Sequence, residues 1–315
     1  MRHFTSIKQL GDLKKALEDA KYVKANPFAD KALGQDKTAL LVFFNNSLRT
    51  RLSTQKAALN LGMNVMVLDV NQGAWKLETE RGVVMDGDKS EHLLEAIPVM
   101  GCYADVIGVR SFARFESQED DYNEVILNQF IQYSGKPVFS MEAATRHPLQ
   151  TFADILTIEE HKKTARPKVV MTWAPHPKAL PQAVPNSFAE GMSMTDFDFV
   201  IANPEGYDLA PEFTKGIRVT HNQDEALEGA DFVYAKNWAS YEQYGQVLSK
   251  DRSWTVTAEK MALTNNAFFL HCLPVRRNMI VSDDVIESPQ SLVIPEAANR
   301  VVSAQTVLKK ILQDL

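Results

Sequence analysis

TALLVFFNNSLRTRLSTQKAALN, residues 38–60, sets the architecture of the chain. Thr38 to Phe44 form an unbroken, mostly apolar run of strand length, as expected for a strand buried on both faces. Asn45-Asn46-Ser47 ends the run, and a helical pattern follows over 49–61, with Ser47 placed to cap it. Strand, turn and helix in that order make half of a βαβ unit, the building block of parallel sheets. Arg49 and Arg51 stand in the first helical turn, where the helix dipole already supplies positive charge. Two readings are open. The arginines are solvated at a surface helix start, or an anion binds there, held by free N–H groups, guanidinium forks and the Thr50 hydroxyl.

The alternation continues outward from this stretch. Strands are expected at 38–44, 64–70, 104–110, 137–141, 168–173, 198–202, 231–235, 267–271 and 291–294. Helical patterns lie at 49–61, 90–100, 118–133, 148–163, 184–194 and 295–313. The fold class is therefore α/β, with two domains, each a mainly parallel sheet flanked by helices. The divide falls at His147-Pro148, where proline at a first helical position opens a long helix. Periodicity leaves open which domain the last helix joins. Four prolines between Ala174 and Pro185 predict a stiff, extended loop.

Composition narrows the function. The chain has 315 residues, 45% apolar and 23% charged, with net charge −6, which argues against nucleic acid or an anionic membrane as partner. Cys102 and Cys272 give neither a disulfide framework nor metal-ligand spacing. The first residues lack a signal-type apolar core, and no run approaches the ~20 apolar residues of a membrane span. A cytoplasmic location is expected, with no metal and no cofactor.

Three further clusters follow expected strands, where open α/β sheets bind ligands. Arg110 ends one strand; Glu142 and His147-Pro148-Leu149-Gln150 follow the next; His271-Cys272-Leu273-Pro274-Val275-Arg276-Arg277 follows a later one. Singly, each reads as ordinary structure, and a lone histidine after a strand is usually a satisfied structural residue. Together with Ser47–Arg51 they point to one shared cleft.

In this order, S-x-R-T-R at 47–51, H-P-x-Q at 147–150 and H-C-L-P at 271–274 resemble the aspartate/ornithine carbamoyltransferase family, over essentially the whole chain. The resemblance implies transfer of a carbamoyl group from carbamoyl phosphate to an amine. It implies a carbamoyl phosphate-binding domain, 1–147, with helix 295–315 packed back on it, and an acceptor-binding domain, 148–294. Ser47, Leu48, Arg49, Thr50 and Arg300 would hold the phosphate. Thr50, Arg110 and His147 would hold the carbamoyl oxygen and form the catalytic set, while Gln150 and the Leu273 carbonyl would hold the nitrogen. The chemistry agrees: the amine must attack as free base, and donors aimed at the developing oxyanion contribute most.

The acceptor is read from departures. Where ornithine enzymes place an aspartate that grips a free α-ammonium, this chain has Lys236 before Asn237-Trp238. A lysine repels an ammonium and welcomes a carboxylate, so the resemblance narrows to the branch acting on α-N-acylated ornithines. Gln72-Gly73-Ala74-Trp75, Asp86-Gly87-Asp88, Met141-Glu142-Ala143-Ala144 and Leu273–Asn278 support that branch. Acetylornithine-specific relatives carry a glutamate at the position of Ser90 and a carboxylated lysine at that of Ile280; this chain lacks both negative charges. The expected acceptor is therefore N-succinyl-L-ornithine, contacted by Glu142, Lys236, Arg276, Cys272, Ser90 and Trp75. N-acetyl-L-ornithine is the alternative, and an inactive regulatory paralogue a third reading. Trp75 is either a core aromatic or, as the branch implies, a loop residue that also reaches carbamoyl phosphate in a neighbouring subunit of a homotrimer. The branch further implies a knotted second domain, the 175–185 loop being threaded by a segment near 236–250, which sequence physics alone would not suggest.

Overall fold

Two parallel sheets, each flanked by helices, form the frame of this computed structural model, which describes residues 1–70, 72–73 and 75–315. Ala74, part of the Gln72–Trp75 stretch, lies outside the described residues. The chain divides into two compact units, Met1–Leu149 with Arg300–Leu315, and Gln150–Asn299. The divisions fall inside helices Pro148–His161 and Val293–Leu312.

In the first unit four strands lie in the order Asn64–Asp69, Thr38–Phe43, Val106–Arg110, Val138–Glu142, all parallel. Thr38–Phe43 is central because five of its six residues are buried, leaving no polar face for solvent. Its neighbours lie on opposite sides, so the chain reverses its direction of winding between Thr38–Phe43 and Val106–Arg110. That switch point opens a crevice beyond the carboxyl ends of the strands. The last two strands pair in register through Val109↔Ser140, then slip so that Arg110 stands opposite Glu142. The irregularity re-aims these two side chains toward each other. Close packing supports the same place: a Cβ on Gly108 would lie 2.5 Å from the Phe139 ring. The apolar face of helix Leu13–Ala25 (Leu13, Ala16, Leu17, Ala20, Val23) is buried, and Asp12 caps it by accepting from Lys15 N–H at 3.1 Å.

The second unit holds five parallel strands in the order Phe268–Leu270, Phe232–Lys236, Lys168–Trp173, Asp198–Ala202, Arg218–Thr220. Its switch point lies between Lys168–Trp173 and Phe232–Lys236, so residues 174–182 and the stretch after Lys236 emerge together.

Several sequence expectations are corrected. Residues 291–294 do not form a strand: Ser291 makes a single bridge to Phe269, and Val293 already begins the helix that runs to Leu312. Short apolar runs suit either state, and Pro295 is tolerated in a first turn, whose N–H groups have no helical partner. Arg218–Thr220 takes the edge position of the second sheet instead. The expected helix 118–133 is two, Gln118–Tyr122 and Val125–Tyr133, parted at Glu124, whose φ is +50°. The proline-rich loop ends at Gln182, since helix Ala183–Met192 already includes Pro185 in its first turn. A small parallel pair, Leu77–Glu78 with Glu91–His92, was not foreseen.

Candidate active site

The turn after Thr38–Phe43 answers part of the arginine question. Leu48, not Ser47, occupies the helix N-cap position, but the Ser47 hydroxyl still accepts from Thr50 N–H at 3.2 Å. Arg51 turns away from the turn: its guanidinium pairs with Asp69 at the end of the neighbouring strand and lies 4.8 Å from the Phe43 ring centre. Its counter-ion is internal. Arg49 is partly exposed at the start of helix Arg49–Asn60.

Thr50 is the hub of the first unit's site. Its hydroxyl oxygen accepts from Arg110 Nη1 at 3.2 Å and from Arg300 Nη2 at 3.1 Å, and all three residues are buried. A hydroxyl that accepts twice directs its own proton to a third partner, so Thr50 is set to donate. Arg110 also donates to the Glu142 carboxylate, as its strand register dictates, and stacks 4.5 Å from the Phe112 ring centre. His147 Nε2 lies 3.3 Å from Glu142 Oε2. The structure thus brings Thr50, Arg110, Glu142, His147 and Arg300 into one buried network, with Ser47, Leu48 and Arg49 on the turn leading to Thr50. Such a group of guanidinium, imidazole and hydroxyl donors suits a dianion with an attached carbonyl oxygen.

Trp75, 58% exposed, is no core aromatic; its indole N–H donates to Glu91 at 2.8 Å. Ser90 is exposed, and its N–H donates to the Lys76 carbonyl at 3.1 Å. Glu78, next to them, accepts from Glu80 N–H, Lys89 Nζ and Thr79 N–H, which hold its carboxyl down at about 2.

In the second unit, the stretch past Lys236 is tied to the proline-rich loop. Ala174 N–H donates to the Lys236 carbonyl at 3.0 Å, Asn237 Nδ2 to the Ala174 carbonyl at 2.7 Å, and Ala239 N–H to the Leu180 carbonyl at 2.9 Å. His176, in that loop, accepts from Arg276 Nε at 3.0 Å through Nε2. Burial lowers the His176 pKa, and the nearby charges of Arg276, Lys236 and Lys178 lower it further. The result is a cationic group around Lys236 and Arg276, suited to carboxylates. His176 escaped sequence reading because it stands among prolines, although it too follows the carboxyl end of a strand. Ile280 is buried.

Gln150 and Leu273 are linked through a residue that sequence reading missed. Gln150 Nε2 donates to Asp154 Oδ1 at 2.6 Å and to Glu296 Oε1 at 3.2 Å. Glu296 Oε2 accepts from His271 N–H at 2.9 Å, and His271 Nδ1 from Leu273 N–H at 2.8 Å. Leu273 has φ +49°, a conformation uncommon for a residue with a bulky side chain. Cys272 is half-buried beside this turn. Burial and the neighbouring acids Asp154 and Cys272 push the Glu296 pKa well above the carboxylate range. The only available clue was spacing: Asp154 follows Gln150 by one helical turn, and Glu296 precedes Arg300 by one.

Comparison with known proteins fits this geometry. Residues 2–160 match the family model "Aspartate/ornithine carbamoyltransferase, carbamoyl-P binding domain", and residues 181–311 match its "Asp/Orn binding domain". The chain is 72% identical to N-succinylornithine carbamoyltransferase of Bacteroides thetaiotaomicron, over 100% of both chains. It is 38% identical to N-acetylornithine carbamoyltransferase of Xanthomonas campestris pv. campestris, covering 95% of this chain and 94% of that one. Among solved structures, a glutamate-to-serine mutant of N-acetyl-L-ornithine transcarbamylase complexed with carbamyl phosphate and N-succinyl-L-norvaline superposes with a TM-score of 0.90 at 35% identity, covering 99% of this chain and 100% of that one.

Proposed function

The chain belongs to the aspartate/ornithine carbamoyltransferase family, and from that premise we propose that it carbamoylates the δ-amine of N2-succinyl-L-ornithine, releasing N-succinyl-L-citrulline and phosphate, in arginine biosynthesis. The observation that carries the chemistry is the buried Thr50–Arg110–Arg300 group with His147 and Glu142. Ser47, Leu48, Arg49, Thr50 and Arg300 take the phosphate; Thr50, Arg110 and His147 take the carbamoyl oxygen; Gln150 and the Leu273 carbonyl take the nitrogen. As the amine attacks, negative charge grows on the carbamoyl oxygen, where the Arg110 guanidinium, the His147 ring and the Thr50 hydroxyl stabilise it. The C–O bond to phosphate then breaks, and the amine's proton leaves with the phosphate or to solvent.

Lys236 and Arg276, with His176, take the acceptor's carboxylates, and Glu142 and Cys272 complete its contacts. Ser90 and Trp75 lie at the acyl end. The solved glutamate-to-serine mutant bearing N-succinyl-L-norvaline supports this reading of Ser90, since a neutral residue leaves room for a second carboxylate. In this reading residues 1–147 with 295–315 serve the donor and 148–294 the acceptor. The active form is a cytoplasmic homotrimer in which Trp75 completes a neighbouring subunit's site and also approaches carbamoyl phosphate. The bonds between residues 174–180 and 236–239 support a threaded, knotted second domain.

Parallel assays with ornithine, N-acetylornithine and N-succinylornithine test the proposal. Turnover should be confined to, or strongly favour, the succinyl compound; no turnover with any overturns the enzyme reading, and preference for the acetyl compound overturns the assignment of Ser90. In Ser90→Glu, a carboxylate ~5 Å from the succinyl group costs ~1–3 kcal/mol, which shifts the ratio toward N-acetylornithine.

A further inference from the structure

In the second unit a continuous chain of bonds runs from Gln150 through Glu296 to Leu273. We propose that Glu296 is a positioning residue that aims both acceptors of the carbamoyl nitrogen, the Gln150 side-chain oxygen and the Leu273 carbonyl, with Asp154 fixing the orientation of the Gln150 amide. This inference rests on the activity proposed above.

The Gln150 amide has two N–H groups, and two carboxyl groups face its nitrogen: Asp154 at 2.6 Å and Glu296 at 3.2 Å. With the nitrogen side so committed, the side-chain oxygen is what Gln150 presents elsewhere. The other Glu296 oxygen anchors the His271-Cys272-Leu273 turn by accepting the His271 N–H. Because His271 Nδ1 accepts the Leu273 N–H, a neutral ring carries its proton on Nε2, and the Leu273 amide hydrogen is spent inside the turn. What Leu273 has left to offer is its carbonyl oxygen. One carboxyl group therefore sets both acceptors required by an –NH2 group, using one oxygen for each. Glu296 is completely buried beside Asp154, and burial together with that neighbour favours its protonated form, so the arrangement survives in a dry interior.

The prediction concerns nitrogen and nothing else, which permits a sharp test. Binding of carbamoyl phosphate, acetyl phosphate and inorganic phosphate is measured by calorimetry on the full-length wild-type protein and on Glu296→Gln and Asp154→Asn. Acetyl phosphate carries a methyl group where carbamoyl phosphate carries –NH2. In Glu296→Gln an amide nitrogen replaces one acceptor, so either the Gln150 amide turns over or the His271 turn loses its anchor. Carbamoyl phosphate affinity should fall about 10-fold or more. Acetyl phosphate and phosphate should bind within about twofold of wild type, which also reports an intact fold. Asp154→Asn disturbs Gln150 but leaves the His271 turn anchored, so its loss should be smaller and equally confined to carbamoyl phosphate. Equal losses for carbamoyl and acetyl phosphate, or no loss for either, overturn the inference while leaving the activity standing. A wild-type protein that binds no carbamoyl phosphate overturns the activity reading and this inference with it.

Discussion

Replacing Glu142 with glutamine should make the protein less stable and at the same time a better phosphate binder. Arg110 and Arg300 both donate to the Thr50 hydroxyl, at 3.2 and 3.1 Å, so two buried guanidinium groups lie within about 6 Å of each other. At an effective dielectric of ~20 their repulsion is ~3 kcal/mol, and the Glu142 carboxylate on Arg110 offsets it. Removing one member of a buried pair costs ~3–5 kcal/mol. With an unfolding entropy of ~2 cal/mol/K per residue, the whole chain shifts by ~1.5 °C per kcal/mol, so Glu142→Gln should melt ~5–8 °C below wild type. A bound phosphate dianion supplies the missing negative charge without meeting Glu142, so its affinity should rise about 10-fold or more. Thermal unfolding followed by circular dichroism, with and without inorganic phosphate, reads both effects. An equal phosphate-induced gain in the two proteins would refute the charge-balance argument, and so would a variant that melts with the wild type.

The two arginines of the opening helix should behave differently. Arg49→Gln should raise the KM for carbamoyl phosphate ~10-fold or more with little change in melting temperature, whereas Arg51→Gln should cost ~1 kcal/mol of stability by breaking its pair with Asp69 and leave that KM nearly unchanged. Lys236→Met should raise the KM for the acylornithine ~10-fold or more without altering that for carbamoyl phosphate, as steady-state kinetics with each substrate varied in turn will show. Glu78, held at about 2 in the folded protein, contributes stability that is complete above its unfolded pKa of ~4.3 and is lost as pH falls through about 2. A carbon-13 titration of its carboxyl should give that low midpoint, and Lys89→Met should raise it. Gly108→Ala, which sets a methyl group 2.5 Å from the Phe139 ring, should cost ~1–3 kcal/mol by overpacking, seen as a lowered melting temperature.

The two sheets were legible because their central strands are mostly apolar runs of strand length, such as Leu40–Phe43 and Val169–Trp173, that alternate with longer helical patterns. Arg218–Thr220 was not, since a three-residue edge strand with one apolar side chain carries no period. Residues 291–294 misled because three apolar residues, Leu292 to Ile294, before a proline satisfy both a strand and a first helical turn. Within the site, Thr50, Arg110, Glu142 and His147 stand where strand ends predict, and their meeting follows from register. Neither reading of Arg51 anticipated its partner, Asp69, which sits at the end of a strand 18 residues on, and pairing between strands is invisible locally. Asp154 and Glu296 stand inside helices and bond to other protein groups, so only their one-turn spacing from Gln150 and Arg300 marks them, and His176 is hidden among prolines.

Among the described residues, the strip around Leu77–Glu78 and Glu91–His92 stands outside both main sheets, its strands pair only with each other, and it is braced by ion pairs such as Lys89–Glu78 and Lys76–Asp88. Surface bonds of this kind tolerate exchange of residues with small losses of stability. Arg110 and Glu142, by contrast, end strands and are locked with Thr50, His147 and Arg300 in a buried network that cannot drift. With Ser90 and Trp75 at the acyl end, as proposed, a lineage can therefore try out new acceptors by single substitutions on this strip while its carbamoyl chemistry stays intact. Divergence among acyl preferences should accumulate there first.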